Sequence, residues 1–497
     1  MESVLDRKMK GGAAMELLEQ CRKWNENKEY QKLIDALENI SADERTPEMD
    51  SELAKAYIAI ADIGEREPYE EGSALPRFEK NFRERTQEAW AAFAGIEGEL
   101  RAIMEADKLR ERSEEIIEKC SGALELALSS PAFELGFNGE KYELILSAEG
   151  SRAGLFPLVY FQCHVPASVR EHWNILVGRQ PSAEFSLRSG PDEIRPEDVQ
   201  VWVEQQEDGR LSLTLYCEKI LPLQQENVER AWWLLSTLTD QVLGEVNFIA
   251  HIGGFDLIDA PKKGPVAFPA VSLEKLPQML KSLGLTDYRD GADFLENSYI
   301  TYELDPVKDP DADWRLDVYT GSNRLPVLIN EYMSAQSDMM NEYHKDGIVA
   351  GFLCYPLNGF EGGNRAEQIL QFRDTLQDAI QKHAGEGAVT FLGGATGLYY
   401  GYLDFIAWDL LAVLDAARAF FADTDLTWSG FHVFRRDVGA VCLWEQEKEP
   451  EVDPETGSLL SMQNIETLES FQDEISGYFG QMLCWLEDFI EQGVQEG

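Results

Sequence analysis

Between residues 16 and 128 the apolar positions recur every three or four residues, and from Pro131 the spacing falls to two. That change divides the chain into a helical first quarter and a mixed remainder. In the first part Leu17, Leu18, Cys21 and Trp24 share one helix face, and Tyr30, Leu33, Ile34 and Leu37 share the next, with a turn at 25–28. Pro47 suits a third helix start, and Leu53, Ala54, Tyr57 and Ala61 continue it to about Gly64. Residues 65–85 hold Pro68, Gly72 and Pro76 among charges and read as a connector. A long helix follows over 83–128, with a break expected at 95–98. Its stripes are Trp90, Phe93, Leu100, Ile103 and Met104, then Ile116, Ile117, Cys120 and Leu124.

Beyond Pro131 the alternation Phe133, Leu135, Phe137, the dipeptide Asn138-Gly139 and the alternation Tyr142, Leu144, Leu146 predict a hairpin. A helix over 155–161, a strand over 174–178, a hairpin from Val199–Val203 to Leu211–Leu215, a helix over 226–245 and a strand near 255–258 complete a first α+β unit. A Pro- and Lys-containing linker at 261–269 leads to a second. There, strands at 299–304 and 315–319 frame the acidic run 305–313, and a helix covers 325–341. Strand 348–355, helix 366–383, strands 388–393 and 398–405, helix 410–421 and strand 430–435 give the order β-α-β-β-α-β, a ferredoxin-like arrangement. A final amphipathic helix uses Phe471, Tyr478, Leu483, Trp485 and Phe489. The expected fold is α+β, with boundaries at 15–64, 65–130, 131–262, 263–445 (core 346–437) and 446–497.

Composition adds one large fact. The 497 residues carry 90 acidic and 44 basic side chains, a net charge of −46. Such a surface repels phosphate backbones and anionic lipid, which excludes nucleic acid and membrane surfaces as expected partners. It complements a basic protein, and it also serves plain solubility. The seven cysteines are scattered and include no Cys-x-x-Cys pair, so a reducing, cytoplasmic setting is expected rather than a disulfide framework. No apolar run of signal-peptide or membrane-span type occurs.

Motifs for chemistry are sparse. The run Gly393-Gly394-Ala395-Thr396-Gly397 lacks the Lys and Ser/Thr of a phosphate loop and joins two expected strands, so it reads as a hairpin turn or bulge. The six histidines include no pair at metal-binding spacing. The acidic run at 305–313 offers oxygen ligands for calcium but lacks the Gly and closing Glu of an EF-hand loop, which leaves a solvated loop as the stronger reading. No metal or cofactor is expected. Tyr399, Tyr400, Tyr402, Phe405 and Trp408, with Trp444, form an aromatic set dense enough for an interface, although core packing explains it as well. Tyr399, Tyr400, Tyr402, Trp408, His432 and Arg435 are the candidate interaction surface. An alternative is an enzyme with its site between the two α+β units, where His432, Arg435, Asp404 and Tyr402 would act. A scaffold without ligand is the third reading.

Three resemblances bear on these expectations. Trp24, Tyr30, Ala36 and Pro47 resemble the bulky, aromatic, small and proline positions of a tetratricopeptide repeat, over about one and a half repeats. The phrases FNGEKYELILSAEG, HWNILVGRQPS, AWWLLSTLTDQVLGE, DPDADWRLDVYTGS and FLGGATGLYYGYLDFIAWDL resemble a group of bacterial proteins that join such repeats to a C-terminal α+β region of unestablished role. The strand order at 346–437 is similar to that of the ribonuclease E regulator B group, acidic proteins that act by binding. The resemblances point to proteins of unestablished function and carry over no catalytic residue. The net charge, the aromatic set and the repeat-like start favour a non-enzymatic protein-binding or regulatory protein, with inhibitor or immunity roles among the readings.

Overall fold

The computed structural model describes residues 78–446 except 107–110, 183, 190–191, 207–208, 264–266 and 361, together with Leu17, Gln20, Lys23, Lys32 and Ala36, all five helical. Backbone contacts separate residues 1–74 from 75–497, and every helix and strand with described bounds belongs to the second unit. The tetratricopeptide-like pattern and the C-terminal helix fall outside the described residues, apart from those five.

Helix α1 (Phe82–Ala106) opens on a reciprocal cap. The Glu84 N–H donates to Asn81 Oδ1 at 2.9 Å, and the Asn81 N–H donates to Glu84 Oε2 at 3.2 Å. The break expected at 95–98 does not occur. Gly95 and Gly98 lie on the solvent side, and the Glu97–Arg101 pair at 2.7 Å spans that turn. Helix α2 (Ser113–Leu124) packs on α1. Ile116, Cys120 and Leu124 are buried as expected, but Ile117 faces solvent.

The Asn138-Gly139 hairpin forms from β1 (Ala132–Phe137) and β2 (Tyr142–Ser147). Helix α3 (Leu155–Cys163) and the short α4 (Ala167–Arg170) then cross over, so that β3 (Trp173–Val177) joins parallel to β2. A parallel neighbour needs such a crossover. Next come a ribbon, β4 (Leu187–Ser189) with β5 (Asp192–Ile194), and the hairpin β6 (Gln200–Gln205) with β7 (Leu211–Tyr216). Helices α5 (Leu221–Glu226), α6 (Val228–Leu243) and α7 (Glu245–His251) lead to β8 (Ile252–Leu257), parallel to β7. Strand β9 (Val271–Ser272) pairs with β6, giving the order β8-β7-β6-β9, and α8 (Leu276–Ser282) follows.

After α9 (Gly291–Glu296), the strands β10 (Ile300–Glu303) and β11 (Val318–Asn323) begin the largest sheet. The helix expected over 325–341 is two: α10 (Pro326–Ser334) and α11 (Asp338–Lys345), parted at Ala335, whose φ of 56° no helix accepts. Then come β12 (Val349–Pro356), α12 (Arg365–Ala384), β13 (Val389–Gly397), β14 (Tyr400–Ala407), α13 (Leu410–Ala422), β15 (Trp428–Val433) and β16 (Val441–Glu445). All pairings are antiparallel, in the order β10-β11-β13-β14-β12-β15-β16. From β12 to β15 the chain runs β-α-β-β-α-β, as the spacing of its apolar runs requires. Every residue of β12 is buried, as befits a strand paired on both sides in the sheet interior.

The chain is thus α+β, with thirteen helices among the described residues. Its cores, however, do not follow the boundaries 131–262 and 263–445. One core joins α1, α2 and the β1–β3 sheet to the seven-stranded sheet and its helices. The other is built from residues 185–285 alone. The linker at 261–269 therefore separates no domains, because β9 beyond it pairs back with Gln200 and Val201. The first unit is likewise not one sheet with helices on a face but three sheets, of which β1–β3 belongs to the larger core and the other two to the smaller. Trp90 of α1 ties the larger core together: its indole N–H donates to the Phe161 carbonyl at 2.8 Å, and its ring lies 4.4 Å from that of Phe161.

Trp90→Ala is expected to destabilise the chain by about 3–5 kcal/mol, since it deletes a buried indole and its hydrogen bond. Urea unfolding followed by circular dichroism measures this.

Candidate functional site

Asp404 sits in the middle of β14, across from Phe352 of β12 and Gly393 of β13, with 0% exposure. A carboxylate buried there must be paired. Arg315 supplies the partner, donating to Oδ1 at 2.5 Å and to Oδ2 at 3.3 Å, while Asn323 Nδ2 donates to Oδ2 at 2.8 Å. The guanidinium lies over the rings of Phe352, Tyr402 and Phe434, at 4.8, 5.2 and 5.3 Å from their centroids. It also donates to Tyr302 Oη at 3.0 Å. Burial works against the charge on Arg315, yet the attraction of Asp404 outweighs it and holds the group above the ordinary arginine range.

The same residues tie down the loop before β11. Arg315 has a φ of 72°, and its N–H donates to Tyr402 Oη at 2.8 Å. Tyr402 Oη donates to Asp317 Oδ1 at 2.6 Å, and Asp317 Oδ2 accepts the N–H groups of Tyr399 and Tyr400 at 2.9 and 3.0 Å. Asp317 thereby closes the turn between β13 and β14. The glycine run lies inside β13, with a bulge between Phe391 and Gly393, where φ is 144°. At Gly397 any Cβ would strike the Asp317 carboxylate. The run is thus not a hairpin turn but carries a bulge at its start, the other reading expected of it.

Most of the proposed interaction surface is interior. Tyr402, Trp408, His432 and Arg435 are buried, so a partner cannot touch them. Trp408 Nε1 donates to Thr390 Oγ1 at 2.8 Å, and its ring stacks 4.2 Å from Tyr160. His432 stacks on Phe352 at 5.4 Å, with Nδ1 2.6 Å from the Val433 carbonyl. Arg435 bonds to Asn341. Tyr399 and Tyr400 are half-exposed, and Tyr400 Oη donates to the Pro310 carbonyl at 2.9 Å. Of the four suspects of the enzyme reading, Tyr402 and Asp404 meet at Arg315, and His432 and Arg435 have other partners. Asp404 and His432 flank Phe352 on opposite neighbouring strands and are committed to different partners. Alternation alone cannot say which face of a central strand meets water, because both faces are covered.

Burial shifts several titratable side chains toward their neutral forms, although Cys163 and Cys442 are exposed. Burial pushes the Cys120 thiol up to about 12 and raises Cys163, Cys217, Cys354 and Cys442, which disfavours thiolate in each. Burial lowers His251 and His432, and with Arg435 nearby it brings His344 down to about 4. Asp240 differs: burial raises it to about 6 against the pull of Arg179, which donates to it at 2.9 Å. Around them Glu245 Oε1 accepts from Ser147 and the Gly150 N–H at 3.1 and 3.0 Å, and Arg179 bonds Glu149 at 2.7 Å. Sequence reading missed this cluster. Its members come from three distant segments, and each looks like one more surface charge. No group of three or more His, Cys, Asp or Glu able to hold a metal ion occurs among the described residues. In the 305–313 loop, Asp309 accepts the Asp311 N–H at 3.0 Å and Asp313 pairs with Arg436 at 2.7 Å.

What remains at the surface is apolar and acidic. Val228, Trp232 and Trp233 are exposed on α6, and Tyr299, Ile300, Val307 and Tyr319 are exposed along the outer border of the large sheet. Glu303, Leu304, Asp305, Tyr319 and Thr320 line an open cleft of about 540 Å³ there. No described helix is long and apolar enough to cross a membrane. The chain matches no family model, no curated protein and no solved structure.

Asp404→Ala is expected to cost about 3–5 kcal/mol, because it leaves Arg315 charged and unpaired in the core. Arg315→Met combined with Asp404→Leu should recover most of that loss, and chemical denaturation of the three variants decides it. A second prediction concerns pH. His344 is held neutral in the fold, so its contribution to stability is complete above its unfolded value of 6.5 and is lost as pH falls towards about 4. Asp240, raised to about 6, acts with the opposite sign: it favours the fold at low pH and loses that contribution as pH rises to about 6. His344→Met should remove a pH-dependent difference on the order of 3 kcal/mol between pH 4 and pH 6.5. Denaturant midpoints across that range measure it.

Proposed function

We propose that this chain is a non-catalytic binding protein that engages a basic protein partner through an acidic α+β surface. The observation that carries the reading is the division of its side chains. The buried polar network at Arg315 and Asp404 is committed to internal bonds, and burial favours the neutral forms of Cys120 and His344. Large apolar groups, Trp233 at 59% and Tyr299 at 52% exposure among them, stand on the surface of a chain with net charge −46. Exposed aromatics dominate the energetics of protein interfaces, and a strong field of one sign speeds encounter with the opposite sign. Roles as inhibitor, immunity factor or regulator all fit this surface. The tetratricopeptide-like start, the ferredoxin-like reading of residues 346–437 and the likeness to acidic binding proteins point the same way, as does a cytoplasmic setting.

A second reading is favoured by one observation. Asp240, raised to about 6 beside Arg179, Glu149 and Glu245, is a carboxylate poised near neutrality, as general acids and bases are. Its depth, at 5% exposure, and its direct bond to Arg179 favour a structural tie.

The test is affinity capture of the full chain from its native cell at low salt. A stoichiometric partner of basic composition is expected, released as ionic strength rises past the point where the Debye length falls below about 5 Å. Recovery of no stoichiometric protein, together with turnover that Asp240→Asn abolishes, would replace this reading with the enzymatic one.

A further inference from the structure

Among the described residues, strand β10 ends the seven-stranded sheet. The Leu304 N–H donates to the Tyr319 carbonyl at 3.1 Å and the Val307 N–H to the Leu316 carbonyl at 2.7 Å, so these groups face β11. Antiparallel alternation then turns the N–H and C=O groups of Thr301 and Glu303 outward, away from the sheet. The strand is rigidly seated from below, since Tyr302 Oη accepts from the buried Arg315. Beside the open edge stand the exposed Tyr299, Ile300, Val307 and Tyr319, and the cleft where Glu303 and Asp305 meet Tyr319 and Thr320. From 303 to 313 the chain carries Glu303, Asp305, Asp309, Asp311 and Asp313 against the single Lys308.

We propose that this edge receives an extended basic segment of a partner protein as an added strand, with a Lys or Arg side chain in the Glu303–Asp305 cleft. The proposal rests on the binding reading above and names its surface. An edge strand is a template for main-chain pairing, and pockets for alternate side chains supply the specificity. The cleft matches a cationic side chain in two ways: two carboxylates for the charge and the Tyr319 ring for the stem. Charge also sorts the other occupants. A second copy pairing edge to edge would set the same carboxylates against each other. The chain's own residues 447–497 carry thirteen Asp and Glu against one Lys, so they are repelled as well.

The test uses the full chain and a short labelled peptide alternating Lys with Val, read by fluorescence anisotropy. Three comparisons accompany it: a peptide with Glu in place of Lys, a Lys–Val peptide N-methylated at every second residue, and two protein variants. Thr301→Pro removes an outward N–H while leaving the β11 ladder intact, and Glu303→Lys with Asp305→Lys reverses the cleft. The Lys–Val peptide should bind and the Glu–Val peptide should not. N-methylation, Thr301→Pro and the charge reversal should each weaken binding by about tenfold or more. An unfolding midpoint close to that of the parent shows that Thr301→Pro still folds. If Thr301→Pro unfolds the chain, the N-methylated peptide against the unaltered protein decides alone. Equal binding of the methylated and unmodified peptides would overturn strand addition in favour of diffuse charge attraction. No binding of the Lys–Val peptide, with a basic partner still captured by both parent and Thr301→Pro chains, would sink the edge and leave the binding reading standing. No peptide binding and no captured partner would remove both.

Discussion

The buried Arg315–Asp404 pair is the constraint on which the rest of the large sheet depends. An ion pair with 1% and 0% side-chain exposure persists only if its geometry is good and its remaining donors and acceptors are met. Asn323, Tyr302, Tyr402 and three aromatic rings meet those needs. In doing so they fix where β10, β11 and β14 stand relative to one another. Tyr302 belongs to β10, Asn323 ends β11, and Asp404 is central in β14. The left-handed turn at Arg315 is the backbone cost of bringing a loop guanidinium under the sheet. Replacing the pair by apolar groups would not by itself unfold the sheet, but it would remove the bonds that select this one placement.

That arrangement separates two kinds of polar residue. Inside, Arg315 and Asp404 bind each other and are closed to solvent, while buried Arg85 and Arg373 bond to backbone carbonyls. Arg179 with Asp240 and Glu245 repeats the device where the β1–β3 sheet meets α6 and α7. Outside, acidic side chains such as Glu303, Asp305, Asp309 and Asp311 stand exposed. The exposed aromatic groups on α6 and beside β10 then stand out, because the interior already holds tryptophans such as Trp90, Trp173 and Trp408. Energy for binding would come from those apolar groups, and choice of partner from the acids around them.

Local pattern made much of the fold legible. The Asn138-Gly139 hairpin, the buried run of β12, the helix over 365–384 and the β-α-β-β-α-β succession follow from periodicity and turn chemistry, which act within a few residues. So does the inert character of the glycine run, since what a phosphate loop requires was missing from it. The fused core was not legible. Nothing in residues 82–106 or 132–177 announces that they pack against a sheet formed two hundred residues later. Nor does the linker at 261–269 reveal that the chain beyond it returns to β6.

The sequence by itself determined the acidic field, the element types and the absence of familiar catalytic spacing, because each depends on composition or on neighbours along the chain. Only the tertiary structure decided which polar residues are interior. Tyr402, Asp404, His432 and Arg435 looked like a shared surface or site, yet in strands covered on both faces alternation does not tell inside from outside. Arg315 and Asp240 drew no notice, because what makes each unusual is a partner 89 or 61 positions distant in the chain. The open edge at β10 is of the same kind. A strand is an edge only once the whole sheet has been assembled, and among the described residues no strand pairs with the outer side of β10.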